Sequence, residues 1–250
     1  MSTGSEIRNR HQEAIDHTFY PGTRASALVI LGHGVTGNKD RPLLLAIATV
    51  LSAHGWPCLT LSYTGNGASE GMFEDSNITK EIADLQAVLE TVPCDVKVAY
   101  IGHSMGGAVG VLTAARDMRI FALISLAGMT HTAAFAQREF GEITPGAGFM
   151  WDDENCPLSQ KFMDDLTQIG DTLPAAEALP QPWLIIHGSE DDIVPVEDGR
   201  DAYQAATSIK QWLEIPGEGH SFSESSYPQI TQIIDAWLSL HLAETSGWRT

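Results

Sequence analysis

Six short apolar runs punctuate the chain, at residues 27–31, 57–63, 96–101, 121–127, 183–187 and 211–215, each bounded by glycine or polar residues. Their length and bounding turns predict buried strands of a mainly parallel sheet. Longer segments of helical period separate them. In 78–89 the apolar side chains Ile78, Ile82, Leu85 and Leu89 recur at i, i+4, i+7 and i+11, one face of a helix. Near the C-terminus Ile230, Ile233, Ile234, Trp237 and Leu238 repeat the logic. Strand and helix in alternation give an α/β sandwich with helices on both faces. The first 25 residues or so have no clear period and offer at most an antiparallel edge strand.

One interval breaks the rhythm. About fifty residues lie between the run ending near Ala127 and the one starting near Trp183, more than a crossover helix needs. They carry Phe135, Phe140, Phe149, Met150, Trp151, Phe162 and Met163, with a glycine-rich TPGAG turn. The interval, about 128–180, reads as an inserted cap. Phe149, Met150 and Trp151 are candidates for an apolar substrate pocket; the competing reading is that they only pack the cap against the body.

The run at 96–101 leads into GHSMGG, residues 102–107, which contains G-x-S-x-G. A strand that turns abruptly into a helix holds its serine at a strained backbone angle, and glycines two before and two after remove Cβ atoms that would collide. The Ser104 hydroxyl then stands at the carboxyl end of its strand, where open α/β sheets bind ligands. Ala108, Val109, Val111, Leu112 and Ala115 supply the following helix.

A serine hydroxyl needs a base, and the base needs an orienting carboxylate. With a nucleophile elbow the chain order is Ser, Asp or Glu, His. His220, in the glycine-rich PGEGHSF loop after the last strand, is the candidate base; His131 falls in the cap, His187 closes a strand and His241 ends a helix. HGSEDDIVP offers Glu190, Asp191 and Asp192. Asp191 fits the turn G-x-x-D-x-x-V-P, and Asp192 reads as a loop acid or helix cap.

GHGVTG, residues 32–37, has the form G-x-G-x-x-G, which elsewhere grips a dinucleotide. In that use the helix begins within the glycines, so that its N–H groups face the pyrophosphate. Here NKDRP intervenes, Pro42 belongs to a first helical turn, and no acid ends the next strand to hold a ribose. The loop is better suited to an oxyanion hole, with Val35 N–H and Met105 N–H as donors.

HGVTG, YTGNGASEG, GHSMGG, GSEDDIVP and GEGH, in that order, resemble the α/β-hydrolase superfamily over nearly the whole chain. The form of residues 33–39 is most similar to the cinnamoyl/feruloyl-esterase-like carboxylesterases, with Val35 where members often carry an aromatic. The resemblance implies an α/β-hydrolase fold: a mostly parallel sheet, helices on both faces and a cap between that fold's sixth and seventh strands. It also implies a serine esterase of small or aromatic acid esters, working through Ser104, Asp191 and His220 without a cofactor or metal. The same triad serves amides, thioesters and some C–C bonds, and a catalytically dead binding module on this fold is the rival outside enzymes.

Composition narrows the partners. The formal net charge of −18, from 32 acidic and 14 basic residues, opposes nucleic acid and anionic membranes; the resemblance implies a small-molecule ester as the partner. The oligomeric state stays open, a homodimer among the possibilities. No segment is apolar enough to span a bilayer, and the N-terminal stretch lacks the apolar core of a signal peptide. Three scattered cysteines suit a reducing compartment, so a cytoplasmic protein is expected, with residues 1–250 forming a single domain. Asp152, Asp153 and Glu154 could hold a cation but read more simply as a solvated face, and Lys39 could favour an anionic substrate group near the mouth.

Overall fold

A computed structural model describes residues 6–242; the two ends of the 1–250 span expected to form one domain lie outside the described residues. In chain order the elements are β1 (Ile7–Arg8), β2 (Ala14–Ile15), β3 (His17–Tyr20), β4 (Ala27–Gly32), α1 (Pro42–Ala53), β5 (Cys58–Leu61), α2 (Ile78–Glu90), β6 (Lys97–His103), α3 (Met105–Ala114) and β7 (Ile120–Leu126). There follow α4 (Thr132–Phe140), α5 (Gln160–Ile169), α6 (Leu173–Ala178), β8 (Trp183–Gly188), α7 (Val196–Ala205), β9 (Lys210–Ile215) and α8 (Tyr227–His241). β1 and β2 form a small ribbon, and the other strands form one sheet in the order β3-β5-β4-β6-β7-β8-β9. Only β3 runs antiparallel, pairing His17 with Leu61 through Tyr20 with Cys58; it is the edge strand for which the N-terminal residues left room.

Strand alternation divides the interior into two cores. Leu28 and Ile30 of β4, Leu59 and Leu61 of β5, Val98 and Tyr100 of β6 and Ile185 of β8 face α2 and α3. Their neighbours Ala27, Val29, Leu31, Ala99, Ile101 and Ile186 face α1 and α8. Every residue of β4, β5 and β8 is buried, which is why these strands read as continuous apolar runs rather than as alternating ones.

The interval between β7 and β8 is an inserted helical region carrying α4, α5 and α6. Phe135, Phe140, Phe162 and Leu166 join the α2–α3 core, so the insertion leans on that side of the sheet. Its neck is tied: Thr172 N donates to Thr130 O at 2.9 Å and Ala133 N to Gly170 O at 3.0 Å. The buried Asp198 carboxylate of α7 accepts from Thr130 N at 2.7 Å and His131 N at 2.9 Å, which fixes where the insertion leaves the body.

Candidate active site

Four parallel strands deliver the site from their carboxyl ends. β6 leads directly into Ser104, β4 runs into the 33–37 loop, β8 leads to Asp191 and β9 to His220. Ser104 has φ 56° and ψ −123°, a conformation costly for a residue with a Cβ and usually kept at functional sites. Its backbone is locked by Ser104 N to Leu126 O at 3.0 Å and by Met129 N to Ser104 O at 3.0 Å. The flanking glycines are required by contact: a Cβ on Gly102 would lie 2.2 Å from Gly106 O, and one on Gly106 would lie 2.6 Å from His33 O. The 33–37 loop presses equally close, since a Cβ on Gly34 would fall 2.6 Å from Ser104 Cβ. Val35 N–H and Met105 N–H have no acceptor among the described residues, Met105 because it opens α3.

Each histidine around the site has a tautomer set by its partners. His220 Nδ1 donates to Asp191, 2.9 Å from Oδ2 and 3.1 Å from Oδ1, which leaves Nε2 as the basic nitrogen. His187 Nε2 faces Asp191 Oδ2 at 3.2 Å and Val194 O at 2.9 Å; both are acceptors, so this nitrogen carries the proton. Asp191 Oδ1 also accepts from Ile193 N at 3.0 Å and Val194 N at 2.8 Å. Burial alone would raise the Asp191 pKa, but the hydrogen bonds from His187 and His220 outweigh it and hold the carboxylate well below its ordinary range.

His33 Nδ1 donates to Gly34 O at 2.8 Å, and its Nε2 accepts from Tyr63 N at 3.0 Å. Holding the Gly34 carbonyl fixes the peptide whose other end is Val35 N–H. His103 Nε2 donates to the His220 carbonyl at 2.9 Å and so anchors the His220 loop to the residue before Ser104. Burial drives both pKa values down, to about 4 for His33 and about 3 for His103.

These two histidines predict acid lability. Unfolded, they take up protons near pH 6.5; folded, they resist until about 4 and 3. Their contribution to stability is therefore complete above about pH 6.5 and is lost as pH falls through that window, roughly 3 kcal/mol for His33 alone. Thermal unfolding from pH 7 to 4 should show the loss, and His103→Gln should flatten it. The difference between the two curves separates this from other titrating groups, such as Glu81, which burial and neighbouring Asp84 push well above the carboxylate range. Parallel curves for the two proteins would refute the assignment.

Ser104, His220, Val35 and Trp151 line one cavity of about 440 Å³, a size that suits a small organic ligand. Of the three apolar insertion residues singled out in the sequence, Trp151 alone lines it. Trp151 sits at φ 50° on a loop closed by Met150 N to Cys156 O at 2.8 Å. Its ring meets Phe140 edge-on at 5.0 Å, and its Nε1 donates to Glu139 at 3.2 Å. Met150 is buried in the α2–α3 core, and Phe149, bridged through its backbone to Pro157, does not line the cavity. The left-handed turn at Trp151 separates these neighbours, and no hydrophobicity pattern announces it.

Asp192 is exposed and the cap position of α7 is Pro195. Asp152, Asp153 and Glu154 are exposed on the insertion. Lys39 gives its ammonium to Asp40 at 3.1 Å and Asp16 at 3.7 Å and does not line the cavity; Arg41 does. Sequence reasoning missed Arg41, His187 as second donor to Asp191, and Tyr227 and Ile193 as wall residues. Only His187, four residues before Asp191 in a strand-end HG, carried a signal in its spacing.

A serine on a strained strand-to-helix turn at the carboxyl edge of a parallel sheet, beside an Asp–His pair, is the arrangement of an α/β hydrolase. The sequence model of the alpha/beta hydrolase family matches residues 28–231, and the chain belongs to that family. It is similar to esterase LipC of Mycobacterium tuberculosis, 25% identical over 232 residues that cover 81% of this chain and 54% of LipC. It is also similar to the monoacylglycerol lipase of Mycolicibacterium smegmatis, 23% identical over 257 residues covering 89% of this chain and 91% of the lipase. In structure it is similar to Est1E from Butyrivibrio proteoclasticus with ferulic acid bound, at a TM-score of 0.83 and 21% identity, covering 96% of this chain and 100% of Est1E. The chain spans about half the length of LipC.

Proposed function

We propose that the protein is a serine hydrolase that cleaves carboxylic esters of small or aromatic acids through an acyl-enzyme. The observation that carries this is Ser104 at φ 56° with the Gly34 backbone against it, opening on the same cavity as a His220 already bonded to Asp191. We read residues 1–250 as one catalytic domain, with about 128–180 as its cap and Trp151 as the cap residue that meets substrate. The buried free thiols of Cys58 and Cys156 support a reducing, cytoplasmic setting. No helix among the described residues is long and apolar enough to cross a membrane.

The reaction follows from the proton positions. Ser104 Oγ attacks the ester carbonyl carbon as His220 Nε2 takes its proton. The carbonyl oxygen gains the electron pair and is held by Val35 N–H and Met105 N–H, each donor contributing about 3 kcal/mol. Asp191 keeps the other ring proton on Nδ1 and stabilises the imidazolium. Collapse breaks the ester C–O bond, and His220 returns the proton to the leaving alcohol. Water attacks the acyl-enzyme, gives its proton to the same nitrogen, and the acid leaves with Ser104 restored.

A fluorophosphonate should attach to Ser104 alone and be blocked by an ester substrate, as peptide mass spectrometry would show; an unlabelled Ser104 would overturn the reading. His33 provides a second check. His33→Phe keeps the ring but frees the Gly34 carbonyl, so kcat should fall about 100-fold with little change in KM. Affinity for a trifluoromethyl ketone that forms the same oxyanion should fall in step, and a loss confined to KM would contradict the role.

A further inference from the structure

The cavity has one charged wall. Its lining holds no aspartate or glutamate and a single basic side chain outside the histidines, Arg41. In a chain with 32 acidic against 14 basic residues, seven described cations have a carboxylate within 4 Å among the described residues, namely Arg8, Lys39, Lys80, Arg119, Arg138, Lys161 and Arg200, whereas Arg10, Arg24, Lys97, Arg116 and Lys210, like Arg41, do not, and of these six Arg41 alone lines the cavity. The one hydrogen bond of its side chain among the described residues runs from Nη2 to Thr36 O at 3.1 Å, and Thr36, at φ 55°, is the residue after the Val35 donor. That bond holds one guanidinium nitrogen at the oxyanion loop while the residue itself stays exposed at the cavity mouth, and its remaining N–H groups have no acceptor among the described residues. Burial is the main cause of the low His33 and His103 pKa values and of the Cys156 thiol being pushed up to about 11; the Arg41 charge is a minor contribution at each, adding to the first two and opposing the third.

We propose that Arg41 is a specificity residue, and that the preferred ester, on the serine-hydrolase reading above, carries a carboxylate on one arm that pairs with its guanidinium at the cavity wall. A planar fork with free donors suits a carboxylate. A pocket free of acids spares that carboxylate local repulsion, while the acidic exterior repels it only over a screened distance of about 8 Å at physiological salt.

Two substrate pairs test this. Mono-4-nitrophenyl glutarate against 4-nitrophenyl pentanoate places the charge on the acyl arm. 4-Acetoxybenzoate against its methyl ester places it on the leaving arm. In at least one pair the wild-type protein should favour the anionic member. Arg41→Met should cut the anionic-to-neutral ratio of kcat/KM about tenfold or more, chiefly through KM, and 1 M salt should shrink the wild-type preference. Lys39→Met, which loses an ammonium already taken by Asp16 and Asp40, should leave the ratio within about twofold. Equal losses on both members, or no preference in either pair, would overturn the proposal while leaving the hydrolase reading intact. If neither pair turns over and Ser104 stays unlabelled, the hydrolase reading fails on its own. Arg41 is then judged by binding: glutarate or 4-hydroxybenzoate should raise the wild-type unfolding temperature but not that of Arg41→Met, and no difference would reject the site.

Discussion

Ser104→Ala is expected to fold normally and to lose ester turnover by a factor of roughly 10⁴ to 10⁶. The fold should survive because alanine keeps the Cβ that Gly34 already accommodates, and the strained backbone is fixed by main-chain hydrogen bonds from Ser104 N to Leu126 O and from Met129 N to Ser104 O. The stability change should stay within about 1 kcal/mol. On the mechanism proposed above, what remains of catalysis is the pair of amides at Val35 and Met105, which can still polarise a carbonyl but have no oxygen nucleophile to work with. Hydrolysis of a 4-nitrophenyl ester, with circular dichroism on the same preparation, measures both quantities. Turnover at the wild-type rate would end the assignment of Ser104.

Asp191→Asn should cost about 10⁴-fold in kcat, and it should also destabilise the fold, which distinguishes this carboxylate from a merely orienting one. The geometry leaves the amide no good placement. Oδ1 accepts the Ile193 and Val194 N–H groups, so the asparagine oxygen belongs there. Its NH₂ then occupies the Oδ2 position and meets two donors, His220 Nδ1 at 2.9 Å and His187 Nε2 at 3.2 Å. His220 can escape by moving its proton to Nε2, which removes the base. His187 is fully buried; its Nδ1 has no partner among the described residues and its Nε2 would keep only Val194 O. A lost buried hydrogen bond of this kind costs about 1–3 kcal/mol. Lowered kcat together with a lowered unfolding temperature is the expected pair of results. Wild-type stability in Asp191→Asn would show that His187 does not lean on the carboxylate.

Much of this was legible in the order of residues. The strands at Ala27–Gly32 and Trp183–Gly188 are buried on both faces, and that burial is what makes them readable as unbroken apolar runs. The helix expected over 78–89 runs from Ile78 to Glu90, since its apolar stripe and the Asn77 cap, which accepts from Lys80 N, agree. Asp191 and His220 meet because loops of fixed position follow neighbouring strands β8 and β9. The rest depends on contacts through space that no period encodes. The short β3 is half-buried throughout, so it lacks a strong pattern of its own. Trp151 and Met150 are adjacent and equally apolar, yet a left-handed backbone sends one to the cavity and the other to the core. Arg41 looked like a residue beside a helix start, and it is indeed the cap position of α1; its place on the cavity wall follows from the path of the preceding loop.

The ties across the neck of the insertion, Thr172 N to Thr130 O and Ala133 N to Gly170 O, make the segment between them a module. Entry and exit sit side by side, so the parts of the segment that face away from the body can be lengthened, shortened or exchanged without rerouting the strands on either side, provided the side chains that join the α2–α3 core, Phe135, Phe140, Phe162 and Leu166, are kept. The groups proposed to react hang from β4, β6, β8 and β9 and take nothing covalent from that segment. Substrate choice on the insertion side can therefore drift independently of bond-breaking chemistry, and a graft of a relative's segment between these two ties should transfer preference while leaving the nucleophile as it is.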